Sequence, residues 1–278
     1  MPYRERPPLP ALRPWVECVW SIEGGDEDEK DAVERILPDG CPELVAHLGA
    51  PFARCEGPGR WQRQPRLFLV GPLTRFLLIR STGVPATVGV RFRPAGASAF
   101  FPQPMAEIRD TLVALEDLWG ARARRLEDRL LHAPAAGRGG LLEAALTAAR
   151  RPECSWARSV HATVNEIVQR RGAVSVASLA RGAAASPRQL ERRFAQAVGV
   201  GPRMLARIMR FQHVFELRHG APAGWAALAA DGGFFDQPHL IRDFRTFSGQ
   251  APSELLGTQG ALSRAFTSPE RLAALFAG

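Results

Sequence analysis

The 278-residue chain has no long apolar run, no regularly spaced cysteines and almost no lysine. Near its start, Pro2, Arg4, Arg6, Pro7, Pro8 and Pro10 leave no room for the apolar segment of a leader peptide, and no later stretch is apolar enough to span a bilayer. A cytoplasmic protein without a membrane partner is therefore expected. Cys18, Cys41, Cys55 and Cys154 form no Cys-x-x-Cys pair, which points to reduced thiols rather than a disulfide framework or a zinc ribbon. No metal or cofactor is expected. The near-absence of lysine means that the formal charge of +8 is carried by arginine, and it is unevenly spread. Residues 156–256 hold thirteen arginines and no lysine against seven acidic residues, six units of the total. A polyanionic partner fits that concentration.

What is present is an α+β pattern long enough for two cores, with 46% hydrophobic residues. Residues 1–120 read as a small β-rich domain, with apolar strands at 15–22, 43–48, 67–70, 76–81 and 87–93. The acidic run 24–31 and the stretch 50–65 read as loops, since they carry glycine, proline and charge without a period. From Leu112 the period turns helical, with Leu115, Trp119, Leu126 and Leu130 on one face, before Pro134 and the glycines at 137–140 interrupt it. A second short helix at 141–150 completes a helical connector, 121–152, whose apolar face is a candidate dimer surface.

Residues 153–257 read as an all-α domain, and 258–278 as a tail carrying Leu262, Phe266, Leu272, Leu275 and Phe276 that could dock as a final helix. The all-α domain opens on an apolar face made by Trp156, Val160, Val164, Ile167 and Val168. A short helix at 176–182, a turn at 183–185, N-cap Ser186 with Pro187, and a second helix at 188–198 follow. That is the outline of a helix-turn-helix unit. Fifty residues on, the unit returns: Leu190 falls on Leu240, Arg192 on Arg242, Phe194 on Phe244, Gly199 on Gly249, Pro202 on Pro252 and Ser186 on Asp236. Between the copies, 204–217 suits a largely buried linker helix.

A helix start of this kind can enter a major groove, where guanidinium groups pair bidentately with guanine and flanking groups hold phosphates. The residues on that face are Arg188, Gln189, Glu191 and Arg192 in the first unit, and Gln237, Pro238, His239, Arg242 and Arg245 in the second. Arg192 and Arg242 are the leading base readers, while Leu190, Phe194, Leu240 and Phe244 turn inward. At these residues the chain resembles AraC/XylS-type regulators: the run Gly-Phe-Phe-Asp-Gln-Pro-His-Leu-Ile-Arg-Asp-Phe-Arg with Gly249 and Pro252 is similar to their second helix-turn-helix, and 186–194 with Gly199 and Pro202 to their first. One departure is Ala184, where the second unit has Gly233 and the family often has glycine; a slightly strained turn is expected there. The resemblance implies a bacterial, sequence-specific regulator whose recognition helices lie in successive major grooves about 34 Å apart, with RNA polymerase as a further partner and a homodimer as a further state.

Residues 36–44, 70–72 and 89–94 resemble the N-terminal domain of a subgroup of these regulators whose ligand is generally unassigned. In this family that domain commonly binds a small-molecule effector or mediates dimerisation. Trp20 and Phe92 could wall an apolar pocket, with Arg91 and Arg93 as a charged anchor. Two rival functions fit parts of the pattern: a DNA alkyl-transfer repair protein using Cys41 as acceptor, although no His or Lys lies near to activate it, and a non-specific architectural DNA binder, which needs no duplicated recognition helix. The regulator, which is not an enzyme, accounts for more of the sequence than either.

Overall fold

The computed structural model describes residues 3–24, 31–152, 154–220 and 224–277, so most of the acidic run 24–31 lies outside the described residues. Its strands are β1 (Tyr3–Arg6), β2 (Val16–Glu23), β3 (Val33–Ile36), β4 (Glu43–His47), β5 (Ala53–Gly57), β6 (Arg60–Arg63), β7 (Leu67–Val70), β8 (Leu77–Arg80), β9 (Ala86–Phe92) and β10 (Leu112–Ala114). They form two antiparallel sheets, one ordered β1-β2-β9-β4-β7-β10 and the other β3-β8-β5-β6.

Alternation along the strands assigns each residue to a layer. Cys18, Trp20 and Ile22 of β2, with Val45, Phe68 and Ile79, fill the space between the sheets. Their neighbours Val16, Val19, Leu44, Leu69, Val90 and Phe92 point the other way. There they meet the helices α1 (Leu115–Trp119), α2 (Ala121–His132) and α3 (Ala135–Ala149), chiefly through Leu115, Leu126, Leu130, Leu142 and Leu146. The larger sheet is thus covered on both faces, by the smaller sheet on one side and by helices on the other.

Three expectations are corrected. The stretch 50–65 contains the β5–β6 hairpin, because Pro58 and the left-handed Gly59 supply a turn between two short charged strands. The glycines at 137–140 do not interrupt a helix: α3 begins at Ala135 and runs through them, and a Cβ on Gly139 would press on Val19 and the Arg6 guanidinium. Close packing against the sheet, rather than a break, explains that glycine. The apolar face of 115–130 is buried within the monomer, with Leu115 and Leu130 fully inaccessible, so it offers no dimer surface.

The remaining chain is helical: α4 (Ala157–Gln169), α5 (Val176–Gly182), α6 (Pro187–Ala197), α7 (Pro202–Gly220), α8 (Trp225–Asp231), α9 (Gln237–Ser248), α10 (Pro252–Thr258), α11 (Ala261–Phe266) and α12 (Pro269–Phe276). One core joins α4 to α9 through Val164, Leu190, Phe194, Leu205, Phe211, Phe244 and Phe247, and Leu37, Cys41 and Ala95 of the β-rich half enter it. No helix among the described residues is long and apolar enough to cross a membrane.

Candidate nucleic-acid interface

Both helix-turn-helix units are closed by local chemistry legible in their residues. Ser186 accepts from the Gln189 backbone N–H while the Gln189 side chain accepts from the Ser186 N–H, a reciprocal capping box that starts α6. Asp236 does the same one-sidedly for α9, accepting from His239 N at 2.7 Å. Leu190, Phe194, Leu240 and Phe244 are buried, which fixes the opposite faces of both helices outward.

On those outward faces Arg188, Arg192, Pro238, Arg242 and Arg245 are exposed, and Gln237 is half-buried. No other described residue pairs with the side chains of Arg188, Arg192, Arg242 or Arg245. Unpaired guanidinium groups, one turn into each of two equivalent helices, are suited to an external anion or base edge.

Three other candidates are engaged internally. Gln189 spends its side-chain oxygen in the capping box. The Glu191 carboxylate lies over Gly201, at a spot a Cβ there would occupy. His239 accepts from the Phe235 N–H at 3.4 Å, meets the ring of Phe234 edge-on at 5.5 Å, and keeps its other nitrogen 3.9 Å from Asp243. Asp243 is itself clamped by Arg207 of α7 at 2.7 Å, which anchors α9 to the linker helix.

The two turns are not identical. Ala185 N–H bonds to Ala180 O and Phe234 N–H to Ala229 O, an offset of 49, whereas the N-caps Ser186 and Asp236 are offset by 50. Phe235 is therefore an added residue, and its side chain is 93% exposed beside the start of α9. The sequence reading missed it because an aromatic in a glycine-rich apolar run reads as core. A signal was available in the change of register alone.

Each unit also rests on the β-rich half. A Cβ on Gly199 would strike Pro72 and the Met105 carbonyl at 2.5 and 2.7 Å, and one on Gly249 would strike Phe76 at 2.5 Å. Arg35 adds a bond to Ser248 O at 2.5 Å and Gln212 one to Pro38 O at 2.7 Å. Asp39 and Gly40 form a turn at this junction, Gly40 being left-handed and pressed on Leu205.

The residues proposed for an effector do not converge. Trp20 lines the space between the sheets. Arg91 is fully buried at its edge, 2.8 Å from Glu43 and 2.9 Å from Glu5. Phe92, adjacent in β9, necessarily faces the opposite layer, where it packs on Phe100 and Phe101. Arg93 donates to Arg13 O at 3.0 Å on a separate, open groove. Cys41 is buried, and burial, then Asp39 and Glu17, push its thiol well above the ordinary range, the reverse of an activated nucleophile.

A repeated pair of short and long helices, each long helix presenting free arginines, defines the class of helix-turn-helix DNA-binding transcription regulators. Residues 179–258 match the family model described as a helix-turn-helix domain, of the AraC type. Residues 4–114 match a second model, a domain of unknown function, DUF6597. No curated protein matches the chain. Among solved structures it is similar to ToxT from Vibrio cholerae, at 10% identity over 92% of this chain and 98% of that one with a TM-score of 0.46. It is also similar to unsaturated fatty acid-bound ToxT, at 13% identity over 87% and 96% with a TM-score of 0.43. Likeness at this level bears on neither ligand nor mechanism.

Proposed function

We propose that the chain recognises a two-part duplex site, placing the first turns of α6 and α9 in successive major grooves, and controls transcription from there through RNA polymerase. The observation that carries this reading is the repeat of an exposed, unpartnered arginine at equivalent positions, Arg192 and Arg242, on two helices held by one rigid linker. At 1.5 Å per residue the 19-residue α7 is roughly 28 Å long, commensurate with the ~34 Å between successive major grooves. Arg192 and Arg242 read bases; Arg188, Gln237, Pro238 and Arg245 flank them toward phosphate and sugar. Gln189, Glu191 and His239 shape the reading heads from within. Residues 1–120 act as the sensing part for a small molecule, 121–152 as connector and 153–257 as the DNA-binding part.

The test is selection of bound duplexes from a random pool at near-physiological salt, with an Arg192→Ala, Arg242→Ala double variant in parallel. Two short motifs spaced by about one helical turn, lost in the variant, are expected. Enrichment of a single motif, or two motifs that survive in the variant, would overturn the assignment.

A further inference from the structure

The segment that follows the second recognition unit runs back across both halves of the molecule. α11 lies against β3, where the buried Glu34 carboxylate accepts from Leu262 N and Ser263 N at 3.2 and 3.5 Å. α12 then enters the helical core through Leu272, Leu275 and Phe276. The Phe276 ring is edge-on to His213 at 6.1 Å and lies 5.0 Å from the Arg171 guanidinium, which is itself paired with Glu216. His213 and Glu216 belong to α7, so α12 is fastened to the helix that joins the two recognition units.

Arg271, on the same short helix, turns to the β-rich half. It is buried, and its guanidinium lies 2.7 Å from Glu17 of β2 and 2.8 Å from Asp39 in the turn before β4. The other Asp39 oxygen accepts from the Cys41 N–H at 2.9 Å and closes that turn. α7 rests on the turn at two places: Gln212 donates to Pro38 O at 2.7 Å, and Leu205 lies 2.8 Å from where a Cβ on Gly40 would stand. Positions 205 and 212 are about two helical turns apart, so they mark one face of α7. Burying a guanidinium between two carboxylates costs roughly as much in desolvation as it returns in attraction, and an apolar side chain would hold α12 in the core as well. What the ionic contact adds is register. A planar fork that must meet carboxylates from two separate segments accepts a far narrower range of placements than apolar packing does.

We propose that Arg271 is a positioning residue for two-part recognition: it fixes the turn on which α7 sits and, through α7, the separation of the starts of α6 and α9. The proposal rests on reading those helix starts as DNA-binding heads. The far ends of both helices press on the β-rich half through Gly199 and Gly249. An α7 that rocks on its seat therefore carries both heads off their supports, while each head keeps its own cap and its own buried face.

Selection of bound duplexes from a random pool, done with the full chain, reports motif and spacing separately. The parent is expected to enrich two motifs at one spacing. Arg271→Met should enrich the same two motifs, with the share of duplexes at other spacings raised at least about fivefold, the low end of couplings between distant sites. Because that variant strands Glu17 and Asp39 without their cation, Glu17→Gln, Asp39→Asn, Arg271→Met is run beside it. There an asparagine oxygen can still accept from Cys41 N–H, and the same broadening is expected. Thermal melts establish that the variants are folded. Folded variants that keep the parent's single spacing, a parent already broad in spacing, or loss of the motifs themselves would overturn the positioning role. So would failure of both variants to fold, which would make Arg271 a residue of stability alone. A parent that enriches no two-part site overturns the reading of the heads instead, and the seat is then judged without DNA. Hydrogen exchange over residues 36–44 and 268–277 should be faster in the triple variant than in the parent; equal rates would overturn the seat as well.

Discussion

Phe235 carries an aromatic ring almost wholly in water at the edge of a helix start formed by Asp236, Gln237, Pro238 and His239. An apolar surface there gains from the methyl group of thymine, the one hydrophobic feature of the major groove. On the selected site, Phe235→Ala is expected to weaken binding by about 1 kcal/mol, and replacing thymine by deoxyuridine at one position of the second motif should cost the parent as much while costing the variant nothing. Equal losses in both proteins would assign the ring another role. At the same scale, burial pushes the His47 imidazole down from 6.5 to about 4, against the opposing pull of its bond to Gln64. The folded protein refuses a proton that the unfolded chain accepts, so the stability due to neutral His47 is complete above pH 6.5 and is lost as pH falls toward 4. Glu17 and Glu43, raised by burial, act in the opposite sense in parent and variant alike. Urea unfolding at pH 7 and pH 4.5 should therefore show a drop larger by roughly 2–3 kcal/mol in the parent than in His47→Gln. Matching drops would remove His47 from the account.

Among the elements, the turns of the two helix-turn-helix units differ in one informative residue. Ala184 is held at φ +45 where Gly233 sits at φ +73. A left-handed backbone is strained for alanine and free for glycine. Ala184→Gly is expected to raise stability by roughly 0.5–1 kcal/mol and Gly233→Ala to lower it by about 1 kcal/mol, read from urea midpoints. A gain from both, or a loss from both, would mean that the surroundings and not the backbone set the preference. This strain was legible in the sequence, as were α5, α6 and the capping residues, because each depends on a few adjacent side chains. The apolar strands β2, β4, β7, β8 and β9 were legible too. The β5–β6 hairpin was not, since its outward residues Arg54, Glu56, Arg60 and Gln62 dilute the alternation. Neither was the glycine-bearing start of α3, whose glycines answer to a sheet far away in sequence. The effector residues failed for a similar reason: Arg91 and Phe92 look like one cluster in a string of letters and become two layers in a strand.

For the whole molecule, the C-terminal segment is the part least visible beforehand, because the meaning of Arg271, Leu262 and Phe276 lies in partners more than fifty residues distant. The seating of both recognition helices is similarly nonlocal. Gly199 and Gly249 come from a repeat, yet each is spent on contact with a different loop of the same β-rich body. Two heads braced on one support behave as the jaws of a caliper with a locked setting. Each base pair inserted between the two halves of the target carries the second half about 3.4 Å along and about 34° around the duplex axis. Hinged jaws would follow such a displacement; locked ones oblige the DNA to untwist or one jaw to let go. A target lengthened by two base pairs should accordingly bind no better than a duplex bearing a single motif, in a mobility-shift titration at fixed salt. Affinity that survives the insertion would mean that the lock is open in solution.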